Sequence, residues 1–310
     1  MFTWGSMKTA PEELIFCSRQ IRIQPGGRPL VHQAAYSVGI TICKIQGDLT
    51  LPLGPEHRTE YLSVIGSLQW LASNTRPDVC ADISLIQRAK PILADLKELY
   101  KTVEYVHTNP EAGITIIPLP YDIEKLAIIS YGDSSWANNE DLTSQTGLAI
   151  CLSTKDCLQG SALGTLLDWK SSRTKRVVRS TLAAEAGAAD NAVDHGAFVQ
   201  AFLREVMTQT PHHLTKEANE NPCLIAVTDC RSIYDCLTTA SPSSTEKRVL
   251  LDIISIRQTA AMFRWIPTHL QVADVLTKRS STLRQSFADW LAKSTCVLAD
   301  GSTNRFVAKR

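Results

Sequence analysis

The sequence predicts an α/β protein with a sheet of mixed strand direction, preceded by a smaller, mainly helical part. Two observations carry that class. Compact apolar runs of strand length recur after residue 124, and a long alanine-rich segment stands among them. The order is three strands, a helix, a strand, two helices, a strand and a helix. It needs both hairpins and crossovers, hence antiparallel and parallel pairing in one sheet.

In chain order, residues 1–110 hold the breaks QPGGRPL and LPLGPEH and then two helical stretches. TEYLSVIGSLQWLAS sets Tyr61, Val64, Ile65, Leu68, Leu71 and Ala72 at i, i+3, i+4, i+7 spacing, an amphipathic helix. It stops before TRPDV, where Pro77 can open the next helix. DLKELYKTVEYVHT carries Leu96, Leu99, Val103 and Val106 on one face. The stretch TNPEAGITIIPLPYDIE is rich in Pro and turn formers and sets a linker at 111–124.

The second part spans 125–280. KLAIISYGD and GLAICLS read as strands, and TLLDWKS as a third, shorter one. STLAAEAGAADNAVDHGAFVQAFLREV is a long helix, because alanine is the best helix former and Ser180 or Thr181 can cap it. A polar loop leads to CLIAVTD, an apolar strand that ends in an aspartate, as the first does. DCRSIYDCLTT starts a helix, EKRVLLDIISIRQTA is another, AMFRWIP is a last strand and HLQVADVLTK a short closing helix. Residues 281–310 read as a C-terminal tail.

Composition narrows the function classes. The 310 residues are 44% hydrophobic and 20% charged, which suits a globular chain. A net charge of +1 gives no global pull toward nucleic acid, so any basic surface must be local. The nine cysteines are odd in number and form no Cys-x-x-Cys, which argues against a disulfide framework and a zinc ribbon and for reduced, buried thiols. His212-His213 has no Cys or His at zinc spacing and reads as loop. MFTWGSMKTAPEEL lacks the basic-then-apolar build of a secretory signal, and no stretch nears the ~18 apolar residues of a membrane helix. The expectation is a cytoplasmic or nuclear protein with no membrane partner.

The chemistry lies in the acids. Gly132-Asp133 taken alone is ordinary turn chemistry at a strand end. Asp229, however, ends CLIAVTD, and neighbouring parallel strands present their carboxyl ends to one crevice. Glu185 lies one turn into the alanine-rich helix, among Ala183, Ala184 and Ala186, and Asp274 follows WIPTH. Four acids from separate elements can thus converge on one edge; the plain alternative is four unrelated surface acids. Clustered carboxylates repel and raise one another's pKa, and divalent cations with oxygen ligands relieve this. Two such ions ~3.5–4 Å apart can activate water and stabilise a leaving oxygen in phosphodiester hydrolysis.

The segments YGDSSWA, LTSQTGLAICLS, LLDWKSSRTKRVVRSTLAAEA, VTDCRSIYDCLTTA, STEKRVLLDI and RWIPTHLQVADVLTK occur here in one order. In that order they resemble the ribonuclease H domain of copia-like retrotransposon Pol polyproteins. Upstream, YLSVIGSLQWLASNTRPDV resembles the stretch just after the reverse-transcriptase core, so the resemblance covers roughly residues 30–280. It implies a ribonuclease H-like mixed five-stranded sheet with flanking helices. Residues 1–110 would be a remnant of the C-terminal, thumb- or connection-like end of a reverse transcriptase.

The same resemblance implies the site. The metal-binding acids would be Asp133, Glu185, Asp229 and Asp274, holding two Mg²⁺ or Mn²⁺ ions. Ala183 stands where many members have a further acid. His269 would assist proton transfer or product release. The reaction would be endonucleolytic hydrolysis of the RNA strand of RNA–DNA hybrids during reverse transcription, leaving a 5′-phosphate and a 3′-hydroxyl. The hybrid would be told from DNA by its 2′-hydroxyls. Ser144, Gln145 and Thr146 resemble a polar stretch that touches the substrate backbone. Arg173, Lys175 and Arg176, with Lys170 and Arg179, form a basic run beside the helix, either a solvated loop or a phosphate contact. Lys247 and Arg248 start a helix and could equally face solvent, while Trp136, Trp169 and Trp265 read as core.

No Tyr-x-Asp-Asp is present, and Ser134 in YGDS replaces the acid that signature needs. Polymerase activity is not expected, and the missing polymerase core of the parent polyprotein would be a partner. Two rival readings remain. A degenerate or host-adopted relic would bind nucleic acid without cutting, although acids at all four matching positions argue against decay. A transposase or integrase would use the order Asp, Asp, Glu, whereas the order here is Asp, Glu, Asp, Asp.

Overall fold

Hydrophobic spacing sets the helices of the first unit. α2 (Pro55–Asn74) buries Tyr61, Val64, Leu68, Leu71 and Ala72, the face its periodicity requires. α4 (Leu93–Thr108) likewise buries Leu96, Leu99, Val103 and Val106. Between them Pro77 opens a 3-10 turn, Pro77–Val79, that runs into α3 (Cys80–Ile86). The computed structural model describes residues 13–139, 141–209, 221–240, 246–260 and 262–298. His212 and His213 lie outside the described residues.

The chain divides into two units, Met1–Pro118 and Leu119–Arg310. The first is less helical than its sequence suggests. It holds a four-stranded antiparallel sheet, β1 (Leu14–Phe16), β2 (Arg19–Ile23), β3 (Pro29–His32) and β4 (Gly113–Thr115), with the short α1 (Ala34–Val38) after β3. The strands are three to five residues long and β2 reads RQIRI, too short and too charged for a clear alternation. β4 falls inside the expected linker, where Ile114 and Thr115 are buried and pair with β3.

The second unit has the expected α/β mixed sheet with flanking helices. β5 (Leu126–Ser135), β6 (Gln145–Thr154) and β7 (Ser161–Arg173) form an antiparallel meander. α5 (Thr181–Thr208) then crosses to β8 (Cys223–Thr228), which lies parallel to β5. α6 (Arg231–Thr238) and α7 (Lys247–Thr259) lead to β9 (Met262–Trp265), parallel to β8. The last elements are α8 (Ser281–Lys293) and β10 (Thr295–Val297), and the strand order is β10-β7-β6-β5-β8-β9.

Four expectations need correction. The sheet has six strands rather than five, because β10 pairs antiparallel with the outer edge of β7. Residues 281–297 are therefore sheet and helix rather than tail; α8 buries Phe287 and Leu291. β7 runs for 13 residues instead of being short, since it is paired on both sides. HLQVADVLTK forms two 3-10 turns, Thr268–Leu270 and Val272–Leu276, in place of a helix.

The core of this unit lies where α5, α6 and α7 cover β5, β6, β8 and β9, through Ile128, Ile150, Ala189, Leu224, Ile233, Ile253 and Phe263. All nine cysteines are free thiols. Among the described residues no helix is long and apolar enough to cross a membrane.

Candidate active site

Two glycines let the acids approach one another. A Cβ on Gly132 of β5 would stand 2.7 Å from the Ala188 carbonyl oxygen, so only glycine lets α5 lie this close to the strand. That contact brings Glu185, one turn earlier on α5, near enough to Asp133 to feel its charge. Ser180 caps the helix start by accepting a hydrogen bond from the Ala183 amide. On β6, Gly147 pairs with Asp133, and a Cβ there would meet Leu276 Cβ at 2.8 Å and the Ala273 carbonyl oxygen at 2.9 Å. The Val272–Leu276 turn thus packs onto the strand and delivers Asp274. Ser171 of β7 holds the turn from behind, its hydroxyl donating to the Leu276 carbonyl at 2.6 Å.

Asp229 follows directly after β8, and the Trp265 indole N–H donates to its carbonyl at 2.9 Å. The Gln271 amide donates to the Gly132 carbonyl at 3.1 Å and to Asp229 Oδ1 at 3.4 Å, tying β5, β8 and the turn together. Thr277 donates its hydroxyl to Asp133 Oδ2.

Asp133 and Glu185 feel the neighbouring acids. Burial pushes the Glu185 carboxyl up to about 9, and Asp133, Asp229 and Asp274 push the same way while Lys278 opposes. Burial also raises Asp133, to about 7, with Lys278 and Thr277 working against Asp274 and Asp229. These are the shifts expected of carboxylates crowded in a half-dry pocket. Glu185 Oε2 is buried with no hydrogen-bond partner among the described residues. An orphaned buried oxygen among hard carboxylate donors fits a divalent cation, which prefers such ligands. The side chains are not drawn into a finished shell, because among the described residues no three His, Cys, Asp or Glu side chains are grouped to hold one ion.

Sequence reasoning missed Lys278. Its ammonium donates to Asp274 Oδ1 and lies 3.9 Å from Asp133 Oδ2. The signal was present, since Lys278 stands four residues after Asp274, but nothing in the sequence says that it turns into the cluster.

The other candidates fall into three groups. His269 is exposed on the turn before Asp274, and no hydrogen bond or ion pair joins it to the acids among the described residues. Ser144 and Gln145 are buried: Ser144 accepts from the Ala137 amide and Gln145 donates to Ser171, while Thr146 and Thr174 share a hydrogen bond. These three fasten strand ends. Of the basic run, Arg173 pairs with Asp141 at 3.5 Å and Arg176 with Asp252 at 3.2 Å, and Lys175 is exposed. Trp136, expected in the core, is 44% exposed and donates its indole N–H to Val178.

Arg176 and Arg179 share a cleft of about 440 Å³ with Lys247 and Arg248 of α7, and Ala183, Glu246 and Asp252 also line it. A larger cavity of about 780 Å³ lies between the 268–275 segment and α8, lined in part by His269, Asp274, Phe287 and Trp290.

No family model matches the chain. In sequence it is similar to the retrovirus-related Pol polyprotein from transposon RE1 of Arabidopsis thaliana, 29% identical over 240 residues or 74% of this chain. It is also similar to that from transposon RE2 of the same plant, 28% identical over 229 residues or 71% of this chain. The chain spans 14% of the length of each of these relatives. The likeness to a retrotransposon Pol polyprotein is thereby borne out.

Among solved structures, an N-terminal RNase H domain from Mycobacterium tuberculosis covers 55% of this chain and 98% of its own, at 13% identity and TM-score 0.33. An RNase H from Halobacterium salinarum covers 53% and 98%, at 12% identity and TM-score 0.32. A foamy viral protease-reverse transcriptase in complex with an RNA/DNA hybrid covers 78% and 34%, at 9% identity and TM-score 0.30.

Proposed function

We propose, for a chain similar to the retrovirus-related Pol polyproteins of plant transposons, that residues 119–298 act as a metal-dependent ribonuclease H on the RNA strand of RNA–DNA hybrids. The observation that carries this reading is the burial of Glu185 beside Asp133, Asp229 and Asp274, with Glu185 Oε2 lacking a hydrogen-bond partner among the described residues. These four carboxylates would hold Mg²⁺ or Mn²⁺. When bound, the cations supply an activated water and stabilise the departing 3′ oxygen.

The chain's own residues do the rest. Gln271 and Thr277 fix the orientations of Asp229 and Asp133 by donating to them. The cationic cleft beside Ala183 offers contacts to backbone phosphates, which give sequence-independent, salt-dependent affinity. His269 sits at the exposed edge of the segment that carries Asp274, and by resemblance passes a proton or helps product leave. Attack on the scissile phosphorus breaks its bond to the 3′ oxygen, so the products carry a 5′-phosphate and a 3′-hydroxyl.

A second reading rests on Lys278. Because its ammonium already supplies positive charge to Asp133 and Asp274, the unit could bind hybrid without cutting it. Incubation with a hybrid labelled on each strand, with duplex RNA and duplex DNA alongside, separates the two. RNA-strand cuts confined to the hybrid and dependent on Mg²⁺ or Mn²⁺ support the nuclease. Binding without cleavage under either cation supports the second reading.

A further inference from the structure

The acid cluster contains one group that hydrolysis does not use. Lys278 leaves the Val272–Leu276 turn with its side chain 42% exposed, yet its ammonium reaches back to Asp274 Oδ1 and to within 3.9 Å of Asp133 Oδ2. Both carboxylates are more than nine-tenths buried. A lysine ammonium is a compact point charge with three donors, so between two buried carboxylates it neutralises what a divalent cation would otherwise neutralise. The two cannot share these oxygens, because like charges a few ångströms apart in partly buried surroundings repel strongly. The exposed stem leaves Lys278 a path to solvent without disturbing the turn.

We propose that Lys278 is the resident counter-ion of the site, and that a divalent cation binds only by displacing its ammonium from Asp133 and Asp274. The proposal rests on the metal-dependent reading above. Lys278 therefore sets how much cation the site requires, holding affinity below what the four acids alone would give.

The test is calorimetric titration of Mn²⁺, and separately Mg²⁺, into the 310-residue protein and its Lys278→Met variant, with no nucleic acid present. Lys278→Met is expected to bind at least about tenfold more tightly, since the lost repulsion at this range exceeds what a tenfold change needs. Lys278→Arg, which keeps the charge, should stay near wild type. Lys278→Gln removes the charge while keeping length and a donor, and serves in the same comparison if the Met variant does not fold. Equal or weaker affinity in the uncharged variants, from protein that binds the cation, overturns the proposal and leaves the metal-dependent reading standing. No cation binding by any of these proteins overturns both.

Discussion

Asp133 is 3% exposed and faces three other acids, yet one of its oxygens is held by Thr277 and approached by Lys278. A different solution appears in the first unit. Arg76 and Asp78, 1% and 3% exposed, pair at 2.8 Å, and Arg76 also donates to the Asn109 carbonyl. Burial pushes the Asp78 carboxyl up, but the Arg76 guanidinium outweighs it and holds the group below the usual carboxylate range. A pKa depressed in the folded state adds stability above the unfolded value, near 4, and that stability is lost as pH falls through the folded value. Asp78→Asn should therefore cost about 3–5 kcal/mol at pH 7 by stranding the guanidinium, and the difference from wild type should shrink toward pH 3. Urea unfolding of both proteins at the two pH values checks this. At this scale Asp133 and Asp229 were legible because they stand near or just after the ends of strands, and Glu185 because it lies near a helix start. Asp274 was legible because it follows WIPTH, although it sits inside a 3-10 turn. Lys278 was not, since four-residue spacing after Asp274 carries no direction.

At the scale of elements, the site depends on two close packings through glycine. Gly132→Ala puts a methyl group 2.7 Å from the Ala188 carbonyl oxygen and 2.8 Å from the Ala189 Cα, backbone atoms that a side-chain rotation cannot move. The expected cost is about 1–3 kcal/mol, typical of overpacking, with α5 shifted off β5 and hybrid cleavage reduced more than hybrid binding. Thermal unfolding together with parallel cleavage and binding assays reads all three effects. α2 and α4 were readable from the sequence because their buried faces repeat, α5 because of its alanine content, and β5 and β8 because they are continuous apolar runs, buried along nearly their whole length. β1 to β4 and β10 were not, because strands of three to five residues are defined by their partners. The start of β7 is hidden in the sequence for the same reason: Ser161 to Leu163 is extended through its pairing with β10.

Across the whole molecule the net charge is +1, so attraction for an anionic backbone must come from local concentration. Arg176, Arg179, Lys247 and Arg248 provide it, drawn from a loop and a helix start 71 positions apart (176 to 247) to one cleft. Replacing Arg179, Lys247 and Arg248 by Gln should weaken hybrid binding and lower the slope of log affinity against log salt by about 2–3, roughly one per lost phosphate contact. Fluorescence anisotropy at several salt concentrations measures it; an unchanged slope would remove the cleft from the substrate path. The proposed function turns on whether the four acids do chemistry. The most direct measurement is cleavage of an RNA-labelled RNA–DNA hybrid with Mg²⁺ or Mn²⁺ by the wild-type protein and by Asp229→Asn. Cuts in the RNA strand by the wild type should disappear in the variant while hybrid binding persists. Undiminished cleavage by Asp229→Asn, or none by folded, hybrid-binding wild type with either cation, would contradict the proposed function.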